Sequence, residues 1–302
     1  MSDLFPGFEQ RRITVAGVEI NCRLAGDGPP LLLLHGYPQT HACWHRLAPL
    51  LKSAYRLVLP DLPGYGDSGF IEPDAANQSY SKRNVASIMA GLMQALGHER
   101  FMVVGHDRGA RVSYRLALDR PDLVERLALL DIIPTIETWE AMSGLGSVAE
   151  FHWPLLAQGG GLPEALIQQD SDFFLRYLMM RWAGDADRID TRALAEYQRC
   201  FREPSVIRAT CADYRAGATI DVEHDAADRK AGRRIACPLM VLWGGGRKGD
   251  LMPVWRRWAD DVRGEGLNCG HFLQEELPAD VAARLLPFLA GTAPTGAISP
   301  GS

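Results

Sequence analysis

Apolar residues in this chain fall into short runs divided by longer stretches of helical period. Residues 13–15 and 19–24 flank Ala16-Gly17 and predict a hairpin at a sheet edge, ended by residues 26–30. Leu31 to Leu34 is too short to span a membrane and predicts a central strand, followed by the loop His35-Gly36-Tyr37-Pro38-Gln39-Thr40. A helix is predicted over 44–54 and a strand over 56–60, which runs into the Pro- and Gly-rich turn 61–68. A helix over 81–96, capped by Ser79 or Ser81 and closed by Gly97, precedes a buried strand over 101–104 and a helix over 109–119. The next strand, 127–130, ends at Asp131-Ile132-Ile133-Pro134. From about 135 to 231 the alternation stops, and the sequence becomes helical in pattern and rich in Trp, Met and Tyr. A strand at 238–243, a helix at 255–262, the turn Gly270-His271-Phe272 and a last helix at 279–289 complete the pattern.

Strands alternating with helices predict an α/β fold: a mostly parallel, doubly wound sheet with its site at the carboxyl ends of the strands and a helical cap, or lid, inserted. The expected division is a core of 1–134 and 232–290, a cap of 135–231 and a flexible tail of 291–302, the last because it is rich in Gly, Pro, Ser and Thr. With 302 residues, 47% hydrophobic and 23% charged, the chain can bury one large core. A net charge of -5 argues against nucleic acid or a membrane surface as partner. Residues 1–12 lack the pattern of a secretory leader, and a cytoplasmic protein is expected. Cys22, Cys43, Cys200, Cys211, Cys237 and Cys269 form no C-x-x-C pair, which suits reduced thiols.

The chemistry concentrates at Gly105-His106-Asp107-Arg108-Gly109. Its Gly-x-nucleophile-x-Gly pattern, between a strand and a helix, is a nucleophile elbow with aspartate in the serine position. A serine that attacked a saturated carbon would end as an inert ether, whereas a carboxylate ends as an ester that water can cleave. Asp107 therefore points to displacement at an sp3 carbon; the plainer reading is an acidic turn residue capping the helix. A nucleophile early, an acid in the middle and a histidine late is the order of an α/β-hydrolase triad, and His271 completes it as general base. Asp131, directly after its strand, and Asp250, in a glycine loop beside Arg247 and Lys248, compete to orient His271, and Asp131 is favoured. In that superfamily the loop after the central strand and the residue after the nucleophile supply oxyanion donors, here the Tyr37 and Arg108 N–H groups. Arg108 and Arg111 share one face of the first helical turn, where two cations add to the positive end of the helix dipole. They call for an anion, either a substrate carboxylate or the protein's own acids. Asp61 and Asp67 read as loop carboxylates that satisfy backbone donors. Asp221, Glu223, His224, Asp225 and Asp228 could be taken for a metal site, but without a recognised ligand spacing they read as a solvated exit from the cap, and no metal is expected.

Taken together these segments resemble the fluoroacetate (haloacetate) dehalogenases of the α/β-hydrolase superfamily. The resemblance runs from residues 35–40 through 105–111 and 131–134 to 270–272, and includes Phe151-His152-Trp153 and Asp213-Tyr214-Arg215-Ala216-Gly217 in the cap. It implies Asp107 as nucleophile, His271 as base, Asp131 as its partner, Arg108 and Arg111 as a carboxylate clamp, and His152, Trp153 and Tyr214 as halide donors. It also implies a small haloacid substrate, no cofactor and a homodimer. Tyr37 stands where several relatives are expected to carry phenylalanine, and since the donor is its backbone N–H the hydroxyl is expected to matter little. Trp182 is a candidate cap residue that packing would equally explain. Two other readings stay open. An epoxide hydrolase would need acidic lid tyrosines, with Tyr214 and either Tyr177 or Tyr197 as candidates, and a non-catalytic binder of small acids would leave His271 and Asp131 idle.

Overall fold

The structure, a computed structural model, describes residues 4–245 and 249–292. Arg247, Lys248 and the expected flexible tail beyond Thr292 lie outside the described residues. Eight strands form one sheet: β1 (Glu9–Val15), β2 (Val18–Ala25), β3 (Pro30–Leu34), β4 (Arg56–Pro60), β5 (Phe101–His106), β6 (Val124–Leu130), β7 (Leu239–Gly244) and β8 (Val262–Leu267). Their spatial order is β1-β2-β4-β3-β5-β6-β7-β8. β1 and β2 pair antiparallel, as do β2 and β4, and the other pairs are parallel. Ala16 and Gly17, at φ +48 and +81, make the two-residue turn that the twist of the first hairpin requires. β5 and β7 are buried along their whole length because helices cover both faces of a parallel sheet.

The sheet begins its outward crossing at β3 and returns through β5, so the carboxyl ends of β3, β5, β6 and β7 converge at the point where the winding reverses. Between β6 and β7 the chain forms helices from Thr135–Ala141 to Ile220–Ala231, and all eight strands lie outside that stretch. Among the described residues no helix is long and apolar enough to cross a membrane.

Two expected helices are corrected. Residues 44–54 hold a 3-10 turn, His41–Trp44, and a single helical turn, Ala48–Leu51, because Pro49 cannot donate backward and starts a new turn instead of extending the old one. Over 255–262 the chain makes only the end of the short helix Met252–Trp255 before it enters β8, an edge strand paired in parallel with β7. That strand carries little apolar pattern, since backbone proximity dictates its residues: a Cβ at Gly264 would stand 2.1 Å from the Val241 carbonyl oxygen.

Candidate active site

Asp107 begins the helix Asp107–Asp119 with φ +46, the left-handed strain of a sharp strand-to-helix turn that lifts a side chain clear of the sheet. The turn is possible because its neighbours lack side chains. A Cβ at Gly109 would sit 2.3 Å from the Leu34 and His35 carbonyl oxygens, and one at Gly36 would sit 2.4 Å from Asp107 Cβ. The loop after β3 thus closes onto Asp107, and the Tyr37 N–H donates to Asp107 Oδ1 at 2.8 Å. His35 fixes this loop from within: its Nε2 accepts from Leu62 N at 3.0 Å, which leaves the proton on Nδ1 to donate to the Gly36 carbonyl. Burial by itself would raise the Asp107 carboxyl, but His271, His106 and Arg108 hold it below the ordinary aspartate range.

His271 Nε2 lies 3.8 Å from Asp107 Oδ2, and its Nδ1 lies 2.5 Å from Asp131 Oδ2. Asp131, at φ +59 just past β6, receives the Gly244 N–H on Oδ1 at 2.9 Å. Of the two carboxylates that competed to orient His271, Asp131 is the one beside its ring, whereas exposed Asp250 accepts from Met252 N at 2.9 Å and so caps the turn that follows it. Asp107, His271 and Asp131 open together into a cavity of about 390 Å³. Arg111, His152, Trp153 and Trp182 stand in its wall beside apolar Ile132, Ile133, Met142 and Leu251.

The two arginines differ. Arg108 is fully buried and already holds a carboxylate: its Nε and Nη2 donate to Asp213 Oδ2 and Oδ1 at 2.9 and 2.8 Å, leaving Nη1 with no partner among the described residues. Asp213 also accepts from the Tyr65 hydroxyl at 2.6 Å and pairs with Lys82. Burial would raise the Asp213 carboxyl, but Arg108 and Lys82 hold it far below its usual range. Arg111 has only neutral acceptors among the described residues: the Ile133 carbonyl at 3.0 Å and the Thr135 and Thr138 hydroxyls at 3.2 Å, with Nε unpartnered. Burial, and then Arg108, push the Arg111 guanidinium below its ordinary value. Of the two anion sources left open, Arg108 already has one of the protein's own acids, whereas Arg111 and one N–H edge of Arg108 have none among the described residues. Asp213 and Lys82 escaped the sequence reading as members of this site; the only available signal was Asp213 standing next to Tyr214.

The cap residues come together as an aromatic box. Tyr214 packs edge-on against His152 at 5.7 Å, Trp153 at 5.4 Å and Tyr37 at 5.2 Å between ring centres. The Arg108 guanidinium lies 4.2 Å from the Tyr214 ring centre, and Arg111 lies 4.5 Å from that of Trp153. Arg108 and Tyr214 stand behind the cavity wall, whereas His152 and Trp153 form part of it. Burial pushes the His152 imidazole down to about 3, so the ring is neutral, and its Nδ1 has no partner among the described residues. The Tyr37 hydroxyl is likewise buried without a partner among them. Trp182 packs on His152 at 4.6 Å and on His271 at 5.6 Å, which places it between the aromatic box and His271.

The reading of residues 221–228 as a solvated exit is corrected for their three aspartates, which are buried and already paired. Asp225 and Asp228 are buried and grip Arg115, while Asp221 accepts the Lys82 backbone N–H at 2.8 Å. Glu223 is exposed and His224 half-buried. Among the described residues no group of three or more His, Cys, Asp or Glu is placed to hold a metal ion. Of the loop carboxylates, Asp61 accepts from His41 N at 2.8 Å and Asp67 N at 3.0 Å, and Asp67 pairs with Arg199.

Comparison with known proteins agrees with this architecture. A family model described as the alpha/beta hydrolase fold matches residues 29–276. The chain is 43% identical over 293 residues to a fluoroacetate dehalogenase of Burkholderia sp, covering 95% of each. It is 34% identical to a soluble epoxide hydrolase of Corynebacterium sp. (strain C12), over 91% of this chain and 95% of that one. A solved structure from Nostoc sp PCC 7120 superposes with a TM-score of 0.91 at 48% identity, covering 93% of this chain and 98% of that one.

Proposed function

Because the chain belongs to the α/β-hydrolase family, we propose that it hydrolyses small 2-haloacids, such as fluoroacetate or chloroacetate, to the 2-hydroxy acid and halide. The observation that carries this reading is Arg111: a buried cation in the cavity wall, met only by neutral oxygens among the described residues and one helical turn from the nucleophile. Burying an uncompensated charge is costly, and a substrate carboxylate removes that cost on binding. Arg108, behind the wall, supplies its free Nη1 as a second donor once the Trp153 and Tyr214 rings that cover its guanidinium shift aside.

In the first step Arg111 and Arg108 hold the substrate carboxylate, and Asp107 attacks the adjacent carbon from the side opposite the halogen. Asp107 Oδ1 is already engaged by the Tyr37 N–H, which marks Oδ2 as the attacking oxygen. The carbon–halogen bond breaks as the carbon–oxygen bond forms, and halide leaves with the bond's electron pair toward His152, Trp153 and Tyr214. A neutral His152 suits this role as a donor that holds an anion without protonating it. In the second step His271, held by Asp131, takes a proton from water as its oxygen adds to the Asp107 ester carbon. The Tyr37 and Arg108 N–H groups hold the resulting oxyanion. The bond from that carbon to Oδ2, the oxygen now joined to the substrate carbon, then breaks, His271 returns a proton to that oxygen as the 2-hydroxy acid departs, and Asp107 is regenerated as a carboxylate holding one oxygen from water, with one net proton released. No cofactor enters this scheme. The proposal includes a cytoplasmic homodimer, for which exposed Leu162, Leu166 and Phe173 on the cap offer an apolar face.

The positions of the other tyrosines weigh against an epoxide substrate. Tyr177 is exposed, and Tyr197 donates its hydroxyl to Glu275 at 2.8 Å, which removes both cap tyrosines that were candidates to act beside Tyr214 on an epoxide oxygen. A neutral epoxide would also leave Arg111 uncompensated. The test is halide release from fluoroacetate, chloroacetate and a neutral haloalkane by the parent and by Asp107→Asn. Release from the acids alone, abolished in Asp107→Asn, is the expected result. Release from no halide, with diol formed from an epoxide, would overturn the proposal.

A further inference from the structure

The loop that carries His271 is crossed at close quarters by the cap. The His271 N–H donates to the Trp182 carbonyl at 2.9 Å, and the two backbones run so near that a Cβ on Gly270 would come within 2.0 Å of Gly184 N. On its other side the loop presses on the end of β7, where a Cβ on Gly244 would meet the Gly270 carbonyl oxygen at 2.4 Å. Beneath this crossing lies Glu276, buried in the short helix Leu273–Glu276. Its Oε2 accepts from Gly184 N at 2.9 Å, Asp185 N at 3.2 Å and Gly270 N at 3.1 Å, and its Oε1 accepts from Phe272 N at 3.2 Å. Four N–H groups thus converge on one carboxylate, three of them on Oε2. Two of the four belong to the residues immediately before and after His271, and two belong to the cap.

We propose that Glu276 is a positioning residue for the general base: its carboxylate fixes the loop on both sides of His271 and fastens the cap segment 182–185 to that loop. This role rests on the two-step reading above. The side chain never meets substrate and acts only through the backbone it holds. Without it, the buried N–H groups of Gly270 and Phe272, on either side of His271, and the part-buried ones of Gly184 and Asp185 lose their acceptor, and the loop must rearrange to satisfy the buried pair. A shift of about 1 Å in a catalytic group can cost on the order of 100-fold in rate.

The two-step scheme makes the role separable from mere structural support, because His271 serves only the second step. Attack by Asp107 depends on the Tyr37 N–H and the arginines, none of which Glu276 touches. In Glu276→Gln the amide keeps an acceptor oxygen but turns N–H groups toward N–H groups. The expected result with chloroacetate is a first-turnover halide burst like that of the parent, a steady-state kcat lower by about 10- to 100-fold, a KM lowered with it, and a glycolyl adduct on Asp107 visible by mass spectrometry. Glu276→Asp, whose oxygens fall short by one methylene, should show the same split to a smaller degree, and it carries the test if Glu276→Gln does not fold. Burst and steady state falling together, or an unchanged kcat in a folded variant, would overturn the role. His271→Ala run in parallel separates the two ideas. An adduct in His271→Ala with none in the Glu276 variants overturns the positioning role alone, whereas no adduct in any of them overturns the two-step reading on which it rests.

Discussion

Three arginines on one face of the helix Asp107–Asp119 are buried to the same degree and treated differently. Arg115, farthest from the nucleophile, donates to Asp225 at 2.7 Å and also pairs with Asp228 and, at 3.3 Å, with Asp119. Arg108 has one carboxylate and a spare N–H edge, and Arg111 has no carboxylate among the described residues. Charge compensation thus falls away toward the cavity. At Arg115 the ion pairs fasten the cap helix Ile220–Ala231 to the nucleophile helix, a task complete in the folded chain. At Arg111 the proposed function assigns the missing partner to the substrate carboxylate. Burial alone does not distinguish a structural cation from a binding one; the number of carboxylates already spent on it does.

That contrast is most strongly tested by removing Arg115. Arg115→Met strands Asp225, whose remaining partners are the Tyr114 hydroxyl and Ile136 N–H, although Asp228 keeps Arg233. Breaking a buried pair from one side typically costs about 3 to 5 kcal/mol, so urea unfolding should show a loss of that size, and kcat/KM of the folded fraction should stay near that of the parent. Arg111→Met should do the reverse. Losing a charge-assisted hydrogen bond to the substrate costs about 1.5 to 3 kcal/mol, which lowers kcat/KM for chloroacetate by roughly 10- to 150-fold, while relief of an unpaired buried cation holds or raises Tm. If Arg111→Met unfolds like Arg115→Met and keeps its kcat/KM, the distinction between the two cations is wrong.

The sequence made the proposed reacting groups legible because each announces itself locally. Asp107 is framed by glycines, Asp131 follows a strand directly, and His271 stands late in the order a triad requires. What sequence could not supply was partnership over distance. Asp213 lies 105 residues from Arg108 and Glu276 lies 92 from Gly184, and no spacing rule links either pair. The same holds for the acids at 221–228: their run reads as a solvated face until Arg115 and Lys82 are seen to be buried against it. β8 escaped because an edge strand made of Val262-Arg263-Gly264-Glu265-Gly266-Leu267 is selected for backbone clearance, not for an apolar face.

Buried acids show the contrast in mirror image, and here the expected effect is smallest. Asp213 has two cations and is held far below the usual range, whereas Glu275, fully buried, receives the Tyr197 hydroxyl and the Gln39 amide. Burial raises its carboxyl to about 8; the Tyr197 bond and the charge of Arg46 oppose the rise without cancelling it. Between the ordinary glutamate value near 4.3 and about 8, the folded protein therefore keeps a proton that the unfolded chain has released. More protons bound to the folded state means that stability falls as pH rises across that window, by at most about 1.4 kcal/mol per unit from this one group. Glu275→Gln replaces the protonated acid with a neutral amide of the same shape and cannot titrate. Its unfolding free energy should accordingly change less than the parent's between pH 5 and 8, with the two closest at pH 5 and the variant more stable at pH 8. Parallel stability curves would mean that Glu275 folds as a carboxylate. A buried acid here would then need no cation, and the inference drawn from the bare charge on Arg111 would lose its counterpart.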